Sequence, residues 1–123
     1  MHTAVVIPTY NEHESIKRLL NSIFSLGIAA LEVIVVDDSS SDRTLDILRA
    51  LKKKFRITLI VRPRKMGLGS ALKDGLALAR NHRAGRVITM DGDESHDPQC
   101  IKTMLERLEE GAERLERFLA ADC

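Results

Sequence analysis

The stretch Glu32-Val33-Ile34-Val35-Val36-Asp37-Asp38-Ser39-Ser40 decides the fold. Four β-branched apolar residues follow one another with no polar residue between them. A strand with one wet face alternates apolar and polar residues. An unbroken apolar run is covered on both faces, as parallel strands of α/β proteins are. The same character recurs at Thr3 to Ile7, Arg56 to Val61 and Gly85 to Met90. Between these runs the apolar residues take helical spacing. One set is Ile16, Leu19, Leu20, Ile23 and Phe24, and a second is Ile47, Leu48, Leu51 and Phe55. A third is Leu68, Ala71, Leu72, Leu76 and Ala79. Alternation of this kind predicts an α/β fold. The expected form is a Rossmann-like open parallel sheet of about four strands, order 3-2-1-4, with helices on both faces. Residues 1–123 then make one domain.

Helix starts are marked by residue chemistry. Asn11, with Glu14 three residues on, reads as an N-cap close to a capping box. Ser39 and Asp42 flank the next start, and Gly67 or Gly69 opens the third helix. Asp97 followed by Pro98 reads as an N-cap with proline in the first turn. Beyond it, Ile101, Leu105, Leu108, Ala112, Leu115 and Leu119 are spaced 4, 3, 4, 3 and 4. That heptad-like seam predicts a long C-terminal helix, or helix pair, over residues 98–121. It packs on its own sheet or, alternatively, on a second chain.

Composition narrows the function classes. Apolar residues make up 44% and charged residues 30%, as in a globular protein. The net charge of +1, the 3% aromatic content and the absence of Trp argue against a nucleic-acid surface. Cys100 and Cys123 lack metal-ligand spacing and no disulfide framework is expected, which favours a reducing compartment. The longest apolar runs are strand-length, too short to span a membrane. The chain opens almost directly on a strand, with no signal-peptide pattern. A cytoplasmic location, or a peripheral one at the cytoplasmic membrane face, is expected.

In open α/β sheets ligands bind beyond the carboxyl ends of the strands. Four polar or glycine-rich segments fall there. Met90-Asp91-Gly92-Asp93-Glu94-Ser95-His96-Asp97-Pro98 carries two carboxylates one residue apart, past a buried strand. Asp91 and Asp93 supply hard oxygen ligands suited to Mg2+ or Mn2+, ions that also bind substrate phosphates. Asp37 and Asp38 are adjacent, and Asp38 is the candidate to accept hydrogen bonds from a base or ribose. Pro8-Thr9-Tyr10-Asn11-Glu12 offers the chain's only tyrosine as a stacking surface and Glu12 as an acceptor. Arg62-Pro63-Arg64-Lys65-Met66-Gly67-Leu68-Gly69-Ser70 puts basic side chains before a Gly-x-Gly helix start, a pattern that can cradle phosphate. It is neither a Walker loop nor a dinucleotide glycine run.

Together these segments resemble family-2 glycosyltransferases of the GT-A fold, and most of all the dolichol-phosphate (polyprenyl-phosphate) mannosyltransferase branch. The matching pieces are Val6 to Glu12, Val35 to Ser40, Gly67 to Ala71 with Gly75, and Met90 to Pro98. The resemblance implies a GDP-mannose-like or UDP-hexose donor, a divalent metal and a polyprenyl phosphate acceptor, with inversion at the transferred sugar. It implies that Pro8, Tyr10, Glu12, Asp38 and Asp91 line the nucleotide. Asp91 and Asp93 would hold the metal, with Ser95 where this branch often has a metal-contacting glutamine. The family's catalytic domain runs roughly twice this length, so what is implied is its nucleotide-binding part, a truncated GT-A domain without the acceptor half. No catalytic base is assigned. The alternative is a non-catalytic nucleotide-binding module that self-associates through the C-terminal helix or the edge of the fourth strand.

Overall fold

The computed structural model describes residues 2–93, 95–109 and 119–120. Strands and helices alternate: β1 Thr3–Thr9, α1 Ile16–Phe24, β2 Leu31–Asp37, α2 Thr44–Lys52, β3 Ile57–Val61, α3 Leu68–Asn81, β4 Arg86–Thr89, α4 Cys100–Glu109 and β5 Leu119–Ala120. The sheet order is β3-β2-β1-β4-β5 and every pair is parallel. The expected order 3-2-1-4 is therefore present, with one further short strand.

Strand alternation sorts the apolar runs onto two faces. Val5, Ile7, Val33, Val35, Ile57 and Ile88 pack against Ile16, Leu20 and Ile23 of α1, Leu48 of α2, and Ile101 and Leu105 of α4. Ala4, Val6, Ile34, Val36 and Val87 pack against Ala71 and Ala79 of α3. Each buried Val or Ile side chain contributes about 1.5–3 kcal/mol. The two clusters explain why β1 and β2 read as unbroken apolar runs.

Three sequence expectations change. α1 begins at Ile16, and Ser15 rather than Asn11 is its N-cap residue. Asn11 instead adopts a left-handed backbone with φ 55°, and its side chain bonds another loop. At the other end, Leu119 pairs with Ile88 and Ala120 with Thr89. The expected helix over 98–121 is thus corrected at these two residues. An unpaired β4 edge would leave its N–H and C=O groups without strand partners, and β5 supplies some. Residues 110–118 and 121 of that expected helix lie outside the described residues. Finally, Cys100 is disulfide-bonded, so the expectation of no disulfide is corrected there. Spacing in the sequence does not report such proximity.

α3 lies close to the sheet because Gly75 has no side chain. A Cβ at Gly75 would sit 2.3 Å from Val6 Cγ1 and 3.2 Å from Val36 Cγ2. Both valines are fully buried and stiff at χ1. Overpacking of this kind costs about 1–3 kcal/mol, which the roughly 1 kcal/mol gain in helix propensity offsets only in part. Gly75→Ala is therefore expected to lower stability in urea denaturation, despite placing a better helix former in α3.

Candidate functional site

The carboxyl ends of β1, β2 and β4 and the start of α3 enclose a cleft of about 350 Å³. Pro8, Thr9, Tyr10 and Glu12 form one wall. Asp38, Lys65, Gly67, Leu68 and Ala71 form another, and Asp91, Gly92 and Asp93 complete it. Pro8, Tyr10, Glu12, Asp38, Asp91 and Asp93, each a candidate from the sequence, are thus brought together. Ser95 stands beside them. Its N–H donates to Asp93 Oδ1 at 3.0 Å and its hydroxyl to Asp91 Oδ2 at 3.4 Å.

The acidic residues divide into structural and available groups. Asp37 is fully buried, and its carboxylate accepts from Thr9 Oγ1 at 2.6 Å and from Ser40 N and Oγ at 2.8 and 2.6 Å. Asp42 accepts from Thr44 N and Oγ1 at 2.8 and 2.5 Å, and faces His13 Nδ1 at 2.7 Å. Burial alone would raise the Asp42 pKa, but the Thr44 and His13 bonds outweigh it and lower it to about 2. Asn11 Oδ1 accepts from the Ser41 and Asp42 N–H groups at 2.9 and 3.3 Å, stitching the β1–α1 loop to the β2–α2 loop.

Asp38 lines the cleft, yet both its oxygens are already engaged. Arg62 Nε donates to Oδ1 at 2.6 Å, and Met66 N and Gly67 N donate to Oδ2 at 2.9 and 3.1 Å. Burial opposes ionisation here too. The Arg62, Met66 and Gly67 bonds prevail, and the carboxyl sits below its ordinary value. Arg62 is only 3% exposed. It also donates to Ser70 Oγ at 2.6 Å, Asp74 Oδ2 at 3.2 Å and Gly67 O at 3.0 Å. The guanidinium therefore locks the β3–α3 loop and does not point at a phosphate. Of the basic residues in that loop, Lys65 reaches the cleft, its Nζ 4.6 Å from the Tyr10 ring centre. Leu68 is 58% exposed at the cleft rim, not buried under α3 as its spacing implied. It lies in the first turn, where α3 has not yet met the sheet.

Glu12, Asp91 and Asp93 make the negative end of the cleft. Burial, then the charges of Asp93, Asp42 and Asp91, push the Glu12 carboxyl above its ordinary value. Asp93 is held below its own ordinary value, chiefly by Ser95. Among the described residues, no group of three or more His, Cys, Asp or Glu side chains is arranged to hold a metal by itself. Two carboxylates and a hydroxyl are instead a partial donor set. That suits Mg2+-like ions, which bind through one or two carboxylates and take remaining positions from phosphates and water.

The Glycosyl transferase family 2 profile matches residues 4–115. The chain belongs to this family. It is 36% identical over 115 residues to the dolichol-phosphate mannosyltransferase of Pyrococcus furiosus, covering 92% of this chain and 32% of that protein. Among solved structures, S. aureus TarS in complex with UDP superposes with a TM-score of 0.76 at 28% identity, covering 89% of this chain and 32% of TarS. The mannosyltransferase PcManGT of Pyrobaculum calidifontis, in complex with GDP-Man and Mn2+, gives 0.73 at 26% identity, covering 87% and 32%. The family-2 chain described here thus spans about a third of the length of the curated relatives it matches. Among the described residues, no helix is long and apolar enough to cross a membrane.

Two outcomes follow from these charge contacts. Removing one partner of a buried ion pair costs about 3–5 kcal/mol. Asp38 would keep two backbone donors, so Arg62→Met is expected near the lower end in urea denaturation at neutral pH. Asp42 has a depressed pKa, so its contribution is complete above the ordinary carboxylate value near 4 and is lost as pH falls towards about 2. A stability–pH profile of Asp42→Asn should therefore lack part of the acid-side decline of the unaltered chain.

Proposed function

We propose that this chain is the nucleotide-sugar- and metal-binding part of a glycosyltransferase that moves a hexose from a GDP-mannose-like or UDP-hexose donor to a polyprenyl phosphate. The observation that carries this reading is the convergence of Tyr10, Glu12, Asp91 and Asp93 in one cleft at the strand ends. An exposed aromatic ring, an acceptor and a paired carboxylate end match the three parts of a nucleotide sugar: base, ribose and diphosphate.

In this reading Tyr10, flanked by Pro8, stacks on the base, and Glu12 accepts hydrogen bonds from the nucleoside. Asp38 lines another wall of the same cleft and fixes the Met66–Gly67 backbone. Asp91 and Asp93, with the Ser95 hydroxyl, would hold Mg2+ or Mn2+. When bound, such a cation offsets negative charge on the diphosphate leaving group. Lys65 stands at the cleft wall as a further positive charge. The acceptor phosphate oxygen is already anionic and needs no strong base to attack the anomeric carbon. Attack opposite the departing diphosphate inverts the sugar. A lipid phosphate acceptor would bring the reaction to a membrane surface. The alternative of a self-associating module through the β4 edge has less support, because β5 pairs along part of that edge.

Calorimetric titration with GDP, UDP and their sugar conjugates, with and without Mn2+, tests the reading. Metal-enhanced binding is expected, and no nucleotide binding under any condition would refute it. Asp93→Ala should weaken the Mn2+-dependent component by at least about 10-fold. An unaltered manganese dependence would reject Asp93 as a ligand.

A further inference from the structure

Ser15 occupies the N-cap position of α1 but does not cap it. A serine there normally accepts a hydrogen bond from a first-turn N–H, worth about 1 kcal/mol to the helix. Here the side chain makes no cap bond. Its hydroxyl instead donates to Gly92 O at 2.7 Å, across 77 residues of sequence. A second acceptor, Glu12 O, lies at 3.5 Å. Ser15 is 9% exposed and Gly92 is buried. The bond joins the residue between Asp91 and Asp93 to the segment that carries Glu12.

A second observation concerns the same backbone. A Cβ on Gly92 would lie 3.2 Å from Pro8 O and from Thr9 Cγ2, and 3.4 Å from Ile7 Cγ2. The Asp91–Asp93 turn is therefore pressed onto the end of β1 from one side and fastened by Ser15. Asp91 and Asp93 flank this point, so displacing Gly92 O moves both carboxylates relative to Glu12 and Tyr10.

We infer that Ser15 is a positioning residue for the cation-holding pair: its hydroxyl sets where Asp91 and Asp93 stand against the nucleoside wall. The inference rests on the proposed reading of the cleft. It predicts that loss of the hydroxyl weakens the metal-dependent part of nucleotide binding and spares the metal-free part, which uses Pro8 and Tyr10.

The test compares the unaltered chain with Ser15→Ala and Ser15→Thr, the latter retaining a hydroxyl. In calorimetry, Ser15→Ala should weaken Mn2+-dependent GDP binding by about 10-fold, the scale of outer-sphere effects at metal sites. Guanosine binding without metal should change little, and Ser15→Thr should restore most of the loss. Amide hydrogen exchange supplies a readout that needs no ligand. In Ser15→Ala, exchange at Asp93 and Ser95 should quicken, while Met66 and Gly67, bonded to Asp38, keep their protection. Equal weakening of guanosine and Mn2+–GDP binding would show a structural role only and overturn the inference. So would unchanged exchange at Asp93 and Ser95. If the unaltered chain binds no nucleotide with Mn2+, the reading of the cleft fails and the inference falls with it.

Discussion

Parallel pairing of β1 on both sides is the constraint on which the site depends. β1 meets β2 from Thr3↔Leu31 to Thr9↔Asp37, and β4 from Thr3↔Arg86 to Val6↔Thr89. A one-residue slip would turn every apolar side chain to the other face, so the two-sided core fixes this register. The strand ends are then tied beyond the ladders. Asp38 N donates to Thr9 O at 3.1 Å, Arg62 N to Asp37 O at 2.8 Å, and Met90 N to Val6 O at 3.0 Å. Residues far apart in sequence reach one edge because strands of one direction must all end there.

Crowding carboxylates at one edge is unfavourable unless most are neutralised locally. Asp37 and Asp42 are satisfied by hydroxyl and N–H donors, and Asp38 by Arg62 and two backbone N–H groups. Their bonds hold the three loops in place. What remains is Glu12, Asp91 and Asp93, whose mutual repulsion contributes to the raised Glu12 pKa. That repulsion is what a cation held at Asp91 and Asp93 would relieve. The opposite edge of the sheet shows the contrast. Glu32, near the amino end of β2, is buried but enclosed by His2, His82 and Thr58 at 2.7 to 3.1 Å; burial would raise its pKa, but the Thr58 and His82 bonds outweigh it and hold the carboxyl below its ordinary value.

Much of this was legible in the sequence, for physical reasons. Unbroken β-branched runs are diagnostic of strands covered on both faces, so a parallel sheet was readable from Thr3–Ile7 and Glu32–Val36, and its order followed from right-handed crossovers. Polar segments after such strands mark the ligand edge, which located Tyr10, Glu12, Asp91 and Asp93. Partners were harder to read. Arg62 belongs to a basic run, and only its burial beside Asp38 distinguishes it from the exposed Arg64. Asn11 is a good cap by type, yet its side chain reaches a loop thirty residues on. Ser15 gave no signal, since it fell inside the helix expected to start at Asn11. The Leu119–Ala120 strand broke a heptad pattern because spacing reports helical periodicity but not an unpaired edge nearby.

The central claim is that the Asp91–Ser95 end of the cleft receives a divalent cation together with a nucleoside diphosphate. Paramagnetic broadening by Mn2+ in NMR spectra of the labelled chain tests it most directly, because the effect is local to the ion. With GDP present, Mn2+ should broaden the amide resonances of Asp91, Asp93, Ser95 and Glu12 and leave those of Glu32 and His82 sharp. Broadening confined to the Glu32 edge, or none at Asp91 and Asp93 with GDP and Mn2+ in excess, would contradict the account.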